Sequence, residues 1–406
     1  MTDRSTQIIR RVASLVFLVV FLYGQDHRDA VRPFTGIDIP GGRVAGLGTA
    51  FTGIADDVTA LFYNPAGLAH LTKSEINLGL ANLGVTTDVS GENATETGAI
   101  TATRMTNAGF VLPIHEVKLT VAIGYHQLKA FERLQERTYI SDSSSAIKQT
   151  LTEEGSIGAW SLGMGYQVSP MLTLGGAVDF LTGTNVYTNT YSYISDTIID
   201  SAKYVLIEPE YNGVGLTLGI LMSPWPVWRI GLLLRSPQLI EVNEKFDNGS
   251  GTDWPVYEYT IRSSYSVRLG SSLTLGCILI SSDIYWFDYS QIRFKSDYTD
   301  NTDIIVNDAL RTQYTNALGY AVGAELLLPV INAKLRGGYH SDPPIEEDAP
   351  RKMTQNTISF GLSVVPVPQI KMDAAYSLTT WQRDHSDGAL EDISVNQLAV
   401  NIIYRF

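Results

Sequence analysis

The sequence predicts an all-β protein: a transmembrane antiparallel β-barrel of about 14 strands, with a small N-terminal helical plug in its lumen. Three observations predict this class. Apolar side chains alternate with small or polar ones from residue 73 onward, short turns alternate with long polar connections, and the chain ends on an aromatic residue, Phe406. A bundle of membrane helices is disfavoured, because the mean hydropathy is only +0.03 and no stretch approaches the length of a transmembrane helix.

Residues 1–24 are expected to be a signal peptide. Arg4, Arg10 and Arg11 form a basic start, and the uncharged apolar run over 12–23 has the length of a signal core but is too short to cross a bilayer as a helix. The formal net charge of −13 disfavours nucleic acid as a partner, because a protein that binds nucleic acid must neutralise phosphates.

The strand prediction depends on a period of two. Successive side chains of a strand point to opposite faces, so a lipid-facing strand shows apolar residues at every second position. The clearest run places Trp160, Leu162, Met164, Tyr166 and Val168 on one face, with small or polar residues between them. Aromatic residues near the ends of such runs are typical of an interfacial girdle.

Fourteen such runs are expected within a barrel over 73–406. They are 74–85, 100–112, 117–130, 156–168, 171–183, 212–223, 228–236, 256–269, 273–290, 312–328, 333–340, 357–365, 369–380 and 393–406. Short turns are expected at 113–116, 169–170, 224–227, 270–272, 329–332 and 366–369. Long polar loops are expected near 86–99, 131–154, 184–211, 237–255, 291–311, 340–356 and 381–392. An even strand number allows the sheet to close, so that no unpaired edge remains in lipid.

The last run ends with Leu398, Val400, Ile402, Tyr404 and Phe406 on one face. An ending of this kind resembles the assembly signal of outer-membrane barrels. The barrel assembly machinery, acting through Phe406, is therefore an expected partner.

Residues 25–72 show no alternation and are interpreted as the plug, or hatch. Fourteen strands enclose a lumen too wide for their own side chains to fill. Asp56 or Asp57 can cap a short helix through Tyr63, and Asn64 can cap a second helix with Pro65 in its first position. The expected plug and gate residues are Asp56, Asp57, Phe62, Tyr63, Asn64, Pro65, Ala66 and Gly67.

The string ADDVTALFYNPAGL over 55–68 resembles the plug signature of the FadL/TodX family of outer-membrane transporters for fatty acids and other hydrophobic compounds. A second string, LRGGYHSDPP over 335–344, is similar to a late strand and loop of that family. The resemblance implies a bacterial outer-membrane location and passive uptake of a hydrophobic small molecule, with long-chain fatty acids favoured. PorV-like barrels share the plug signature, so protein secretion or surface attachment remains an alternative.

The inner face, read from the alternation, is partly apolar and partly basic, which suits an amphipathic guest. The expected substrate-binding residues are Leu233, Arg235, Arg262, Leu327 and Arg336. Glu258, Ile278 and Ile280 are also expected to face inward. Outer-membrane lipid and lipopolysaccharide are expected to surround the barrel.

Catalysis, metal binding and cofactor binding are not expected. The pairs His340–Asp342 and Asp384–His385 lie at the roots of predicted outer loops, but no nucleophile motif accompanies them. The six histidines lack the spacing of a metal site.

Overall fold

The chain forms a closed antiparallel barrel of fourteen strands. The computed structural model describes residues 27–38, 40–91, 94–142, 145–195, 199–252, 255–296, 302–347, 349–350, 353–384 and 389–406. The expected signal peptide and His385 lie outside these residues. None of the helices in the described ranges is long and apolar enough to cross a membrane.

Four of the fourteen strands are interrupted and consist of two segments each. The first seven are β1 Glu75–Gly91, β2 Ala94–Ile114, β3 Leu119–Ala130 with Arg133–Asp142, β4 Ser145–Ser169, β5 Leu172–Ser195, β6 Ile199–Trp225 and β7 Trp228–Arg235 with Leu239–Asp247. The others are β8 Tyr257–Arg262 with Ser266–Leu275, β9 Ile278–Asp288 with Arg293–Ser296, β10 Asn316–Leu328, β11 Ala333–Asp342, β12 Gln355–Val367, β13 Ile370–Asp384 and β14 Leu390–Arg405.

The sheet closes where the first strand meets the last. β1 pairs with β14 from Glu75 opposite Arg405 to Ser90 opposite Leu390. Arg405 Nε also donates to Glu75 Oε1 over 2.7 Å, and the Phe406 backbone N–H donates to the Ser74 carbonyl over 3.1 Å. The terminal segment therefore completes the barrel.

The outer wall carries an apolar belt. The residues predicted to face lipid on β4 are about half exposed, from 46% for Val168 to 59% for Leu162. Outward apolar residues on β14 behave likewise, while the residues between them are buried. In a bacterial outer membrane this exposed belt is in contact with hydrocarbon.

The expected long loops are largely wrong, because most of these segments continue as paired strands. β4 has 25 residues and β6 has 27, which at about 3.3 Å per residue gives a length of roughly 80–90 Å. An apolar band of about 25 Å accounts for only part of this length. Hairpin ladders thus extend well beyond the membrane on the side of the long connections.

The expected turn at 270–272 is also wrong. β8 continues to Leu275, and the turn lies at Gly276 and Cys277. Gly276 has φ +60, a conformation that glycine adopts without strain. Ile278 and Ile280, expected in the lumen, are 43% and 50% exposed on the outer wall.

A break at residues 263–265 reverses the orientation of the upper part of β8. Tyr259 and Ile261 are buried against the lumen, so Glu258 and Arg262 face outward. The expectation that these two charged residues point inward is therefore wrong. Alternation cannot predict which face a side chain occupies beyond an irregular segment, because each unpaired residue there moves the following side chains to the opposite face of the sheet.

The N-terminal segment lies within the barrel. Its helices are α1 His27–Thr35, α2 Gly42–Gly46 and α3 Ala60–Tyr63, followed by a 3₁₀ helix at Pro65–His70. α1 is packed among the upper strands, and a further helix, α4 Thr302–Gln313, connects β9 to β10 and closes over the same apolar cluster.

Candidate functional site

The plug backbone lies directly against glycines of the barrel wall. A Cβ atom added to Gly175 would lie 2.2 Å from the carbonyl carbon of Pro65. One added to Gly231 would lie 2.1 Å from the Thr52 oxygen, and one on Gly338 would lie 2.1 Å from the Gly48 nitrogen. At these distances no side chain fits, so glycine is required at the three positions where the plug backbone contacts the wall. We call these three glycines the glycine seat.

Asn64 fastens the plug to itself and to the wall. Its Nδ2 donates to the Thr52 carbonyl over 3.0 Å and to the Ile220 carbonyl of β6 over 3.1 Å. Its Oδ1 accepts the backbone N–H of Ala66 over 3.2 Å. The side chain therefore caps the 3₁₀ helix that begins at Pro65, as the sequence predicts.

Arg43 joins the plug to a second part of the wall. The guanidinium group forms ion pairs with Asp56 and Asp57, the latter at 3.2 Å, and approaches Glu325 of β10 at 3.7 Å. Burial opposes the charge on Arg43, but Asp56 and Glu325 raise its pKa well above the ordinary value. Burial also opposes ionisation of Asp56, yet Arg43 holds the pKa of that carboxyl below its usual range.

The buried ion pairs continue across the wall. Glu325 accepts from Arg336 Nε over 2.7 Å, and Arg336 Nη1 donates to Asp373 over 2.8 Å. Lys371 lies 3.0 Å from Asp373. A buried charge left without its partner is costly, so this network opposes displacement of the plug.

A cavity of about 260 Å³ lies between the plug and α1. Its apolar lining includes Phe34, Leu128, Ile157, Leu181, Leu233 and Ile240. Its charged lining consists of Asp38, Lys129, Arg235, Arg268 and Asp342. A smaller pocket of about 30 Å³ adjoins it and shares Asp38, His340 and Asp342. The enclosed space thus has an apolar side and a strongly polar side.

Two arginines of the wall are positioned at the cavity by the plug. Arg235 Nη2 donates to the Phe62 carbonyl over 2.8 Å, and Arg268 Nη1 donates to the Thr49 carbonyl over 3.3 Å. The Arg268 guanidinium also lies 4.3 Å from the centre of the Tyr285 ring. Each arginine has further N–H groups beyond these contacts, which suits recognition of an anion.

Lys129 has a neutralising partner in the plug. Its Nζ lies 2.7 Å from Asp38 Oδ1. The Asp38 side chain is 52% exposed to the cavity. Its position inside the lumen opposes ionisation, but Lys129 lowers the pKa of Asp38 overall. With Lys129 offset by Asp38, the remaining charged groups of the lining are Arg235, Arg268 and Asp342, which leave a net charge of +1.

His340 and Asp342 form the polar end of the cavity. His340 Nε2 lies 3.6 Å from Asp342 Oδ2, and Tyr285 donates its hydroxyl to Asp342. In the described part of the chain, the buried His340 Nδ1 has no hydrogen-bond partner.

α1 covers the cavity on the side away from the plug. Ala30 and Val31 are buried in a cluster with Tyr211 and Ile261 of the wall. Phe34 turns toward the cavity, with its ring 5.8 Å from that of Phe287. The cavity is therefore enclosed above by the N-terminal helix and below by the plug.

The wall is interrupted beside the cavity, between β2 and β3. In the described residues, the ladder between these strands ends at the pair Asn107–His126. Above this pair the chain bulges at residues 127–129, which line the cavity. In the part of the chain that the structure describes, the second segment of β3 forms no ladder with β2 and lies across both β2 and β1. Thr138 Oγ1 donates to Glu96 of β2, and Thr87 Oγ1 of β1 donates to the Leu134 carbonyl.

Plug residues contact the wall just below this break. The His126 ring is stacked on Phe62 with centroids 4.5 Å apart, and Tyr63 lies 5.6 Å away. Above the break, Arg104 of β2 pairs with the buried Glu132. The break lies near the aromatic pair Tyr125–Trp160, which marks the outer edge of the apolar belt.

The structure brings together only some of the residues expected from the sequence. Leu233, Arg235 and Tyr63 line the cavity, and Phe62 contacts Arg235. Arg336 is occupied by the buried ion pairs, and Arg262 lies on the outer wall. A further set lies at the plug–wall seat: Asp56, Asp57, Asn64, Pro65, Ala66 and Gly67. Leu327 lies beside the turn at 329–332, where its N–H donates to the Cys277 carbonyl, and does not line the cavity.

Several cavity residues were not expected. Lys129 belongs to a bulge, and Asp38 and Phe34 belong to the segment without alternation. The period of two therefore could not predict that these residues face the lumen. His340 was placed at the root of an outer loop, but β11 continues through it to Asp342. The sequence feature that could have identified His340 is the run of polar residues from His340 to Asp342 at the end of this strand.

A closed barrel with an apolar belt, a seated plug and an enclosed cavity defines a class of outer-membrane transport proteins. Residues 33–388 match the family described as outer membrane protein transport protein (OMPP1/FadL/TodX). The chain belongs to this family, whose members are outer-membrane transporters of hydrophobic compounds and not enzymes. The protein is therefore located in the bacterial outer membrane.

Solved structures with this fold share little sequence with the chain. A FadL homologue from Pseudomonas aeruginosa aligns with TM-score 0.64 and 14% identity, covering 92% of this chain and 100% of that one. The toluene transporter TodX of P. putida aligns with TM-score 0.61 and 13% identity, covering 90% and 98%. The toluene transporter TbuX of Ralstonia pickettii aligns with TM-score 0.58 and 15% identity, covering 92% and 100%.

A comparison with curated protein sequences found no match. The secretion-associated alternative receives no support from the family match or from these structures.

Proposed function

We propose that the protein takes up amphipathic hydrophobic molecules that carry one acidic group, with fatty acids as the favoured case. The observation that carries this proposal is the cavity, in which Leu233 and Leu181 form an apolar wall and Arg235 and Arg268 present positive charge. A carboxylate on the arginines and an apolar body against the leucines would satisfy both sides.

The size of the cavity limits what it can enclose. A cavity of about 150 Å³ accommodates benzene, so about 260 Å³ holds a ring with a polar group, or the head and first part of a fatty-acid chain. The rest of a long chain would extend through the break between β2 and β3. Aromatic acids are therefore the competing substrate class.

We propose the break as the exit, because the plug is fastened by its glycine seat and by buried ion pairs. Leu128 and Lys129 line the cavity and belong to the bulge at which the ladder ends. A ligand leaving there would reach the outer part of the apolar belt. Its own concentration gradient would drive the movement.

Uptake by cells with and without the gene tests the proposal. Labelled long-chain fatty acid, an aromatic acid and a neutral aromatic hydrocarbon should be compared. We expect faster uptake of at least one acid in cells that carry the gene. Equal uptake of all three compounds in both strains would contradict the proposal.

A further inference from the structure

Four cations cluster on the outer wall, opposite the buried face of the upper β8 and β9 segments. Arg262 of β8 lies directly opposite Arg293 of β9 in the ladder, and Lys295 lies opposite Thr260. Their neighbours Ile261 and Phe294 are buried toward the lumen, so the cations point away from it. Arg311 of α4 is exposed and close enough to act electrostatically on Arg293.

This arrangement is unfavourable without a counter-anion. Like charges directly opposite each other across a ladder destabilise the pair. In the described part of the chain, Arg262, Lys295 and Arg311 form no ion pair or hydrogen bond. Arg311 and Arg262 act on Arg293 as like charges, and Asp288 only partly opposes them.

Arg293 is nevertheless held in place. Its Nη1 donates to the Ser290 carbonyl over 3.0 Å and to the Ile292 carbonyl over 2.7 Å. In the described residues, the outward acids nearby form no ion pair with the cluster. Glu258 lies four residues above Arg262, about 13 Å by strand rise. Glu241 lies opposite Thr260 on the neighbouring strand, diagonal to Arg262, so it offsets at most one of the four positive charges.

The position of the cluster relative to the apolar belt indicates which part of the membrane surrounds it. Tyr265 and Trp286 form an outward aromatic pair with ring centroids 5.3 Å apart, and Tyr265 is 52% exposed. Aromatic residues of this kind mark the edge of the apolar belt. Arg262 lies three residues above Tyr265, at most about 10 Å along the chain, at the level of lipid head groups.

We propose that Arg262, Arg293, Lys295 and Arg311 form a binding site for the phosphates of lipopolysaccharide in the outer leaflet. The fixed guanidinium of Arg293 and the adjacent exposed cations suit bidentate recognition of phosphate. The apolar wall below them, including Leu269 and Ile284, would contact the acyl chains. None of these four cations lines the cavity, and the proposal makes no use of the substrate.

Binding of fluorescent lipid A to the purified full-length protein in detergent tests this site. We expect saturable binding that weakens as salt is raised. Substituting Arg262→Ser, Arg293→Ser and Lys295→Ser together should weaken binding roughly a hundredfold, since each cation near an anionic lipid surface contributes about a factor of five. The double variant Arg262→Ser with Lys295→Ser retains the backbone contacts of Arg293 and should lose about twenty-five-fold.

The matched control removes two exposed cations at the other end of the barrel, beside the short turns. This variant, Lys73→Ser with Lys118→Asn, should bind lipid A as the wild type does. Unchanged binding by both cluster variants would overturn the proposal. Equal binding of dephosphorylated lipid A would also overturn it. Full competition by inorganic phosphate at the concentration of the lipid would show a site for a free anion and not for a lipid.

Discussion

At the scale of single residues, the selectivity of the cavity depends on which charges remain available to a guest. Lys129 is neutralised by Asp38, and Arg268 lies 3.7 Å from Asp283. Arg235 is bound only to a plug carbonyl among the described residues. Arg235 is therefore the cation that we expect to contribute most to binding an acidic group.

Replacing Arg235 by Gln should lower uptake of an acidic substrate about tenfold or more, because a hydrogen bond to a charged group contributes about 1.5–3 kcal/mol. Uptake of a neutral hydrocarbon should change little. The measurement is the initial uptake rate of both compounds, with Arg235→Lys as the control that retains the charge. An equal loss for both compounds would indicate damage to the plug instead.

A second residue-scale prediction concerns the glycine seat. Gly175→Ala places a Cβ atom 2.2 Å from the Pro65 carbonyl carbon, whereas the same change at Gly337 meets nothing within 4 Å. We expect Gly175→Ala to increase hydrogen exchange across residues 60–70, because the plug must shift. Gly337→Ala should leave exchange in that segment as in the wild type. Similar hydrogen exchange in both variants would contradict this prediction, because it would show that the added Cβ atom at Gly175 fits without displacing the plug.

At the scale of elements, the sequence predicted the number of strands correctly, and it failed where strands are irregular. Regular alternation located β14 and the lower half of β4 well, because one face contacts lipid and the other faces the lumen, but it missed the upper half of β4. The phase was lost at 263–265, which misplaced Arg262, and the turn at Gly276 was missed, which misplaced Ile278 and Ile280. The cavity combines a bulge, a plug segment and a helix without alternation, so no single pattern in the sequence reveals it.

The break between β2 and β3 leads to an element-scale prediction. Cysteines at Arg104 and Glu132, joined by a short bismaleimide in a Cys277→Ser background, should hold the two sides together. We expect uptake to fall by most of its wild-type rate if this break is the exit. The measurement is uptake before and after cross-linking of intact cells.

The control joins Asn82→Cys to Thr103→Cys, which face each other within the continuous β1–β2 ladder. Cross-linking there should leave uptake unchanged. Full activity of the Arg104–Glu132 cross-linked protein would exclude the break as an exit.

At the scale of the whole molecule, the barrel wall and the plug have separate structural roles. The closed ladder from β1 to β14 provides hydrogen-bond partners for the backbone N–H and C=O groups that lie within lipid. The plug then fills a lumen that fourteen strands leave open, and the buried pairs from Arg43 to Asp373 hold it there. Transport with the plug in place would require a route through the wall, and we propose the break beside the cavity as that route.

Removing the plug should convert the protein into an open pore. We expect a variant lacking residues 41–72, with a short flexible linker in their place, to assemble, because the ladder that closes the barrel involves none of them. The loss of ion pairs with Arg43 exposes Glu325 to water in the opened lumen, where the charge no longer needs a buried partner. Planar-bilayer recordings should show stable, large conductance steps for this variant and none for the wild type. A folded, membrane-inserted variant without conductance would mean that α1 and the inward-leaning segment of β3 close the lumen by themselves.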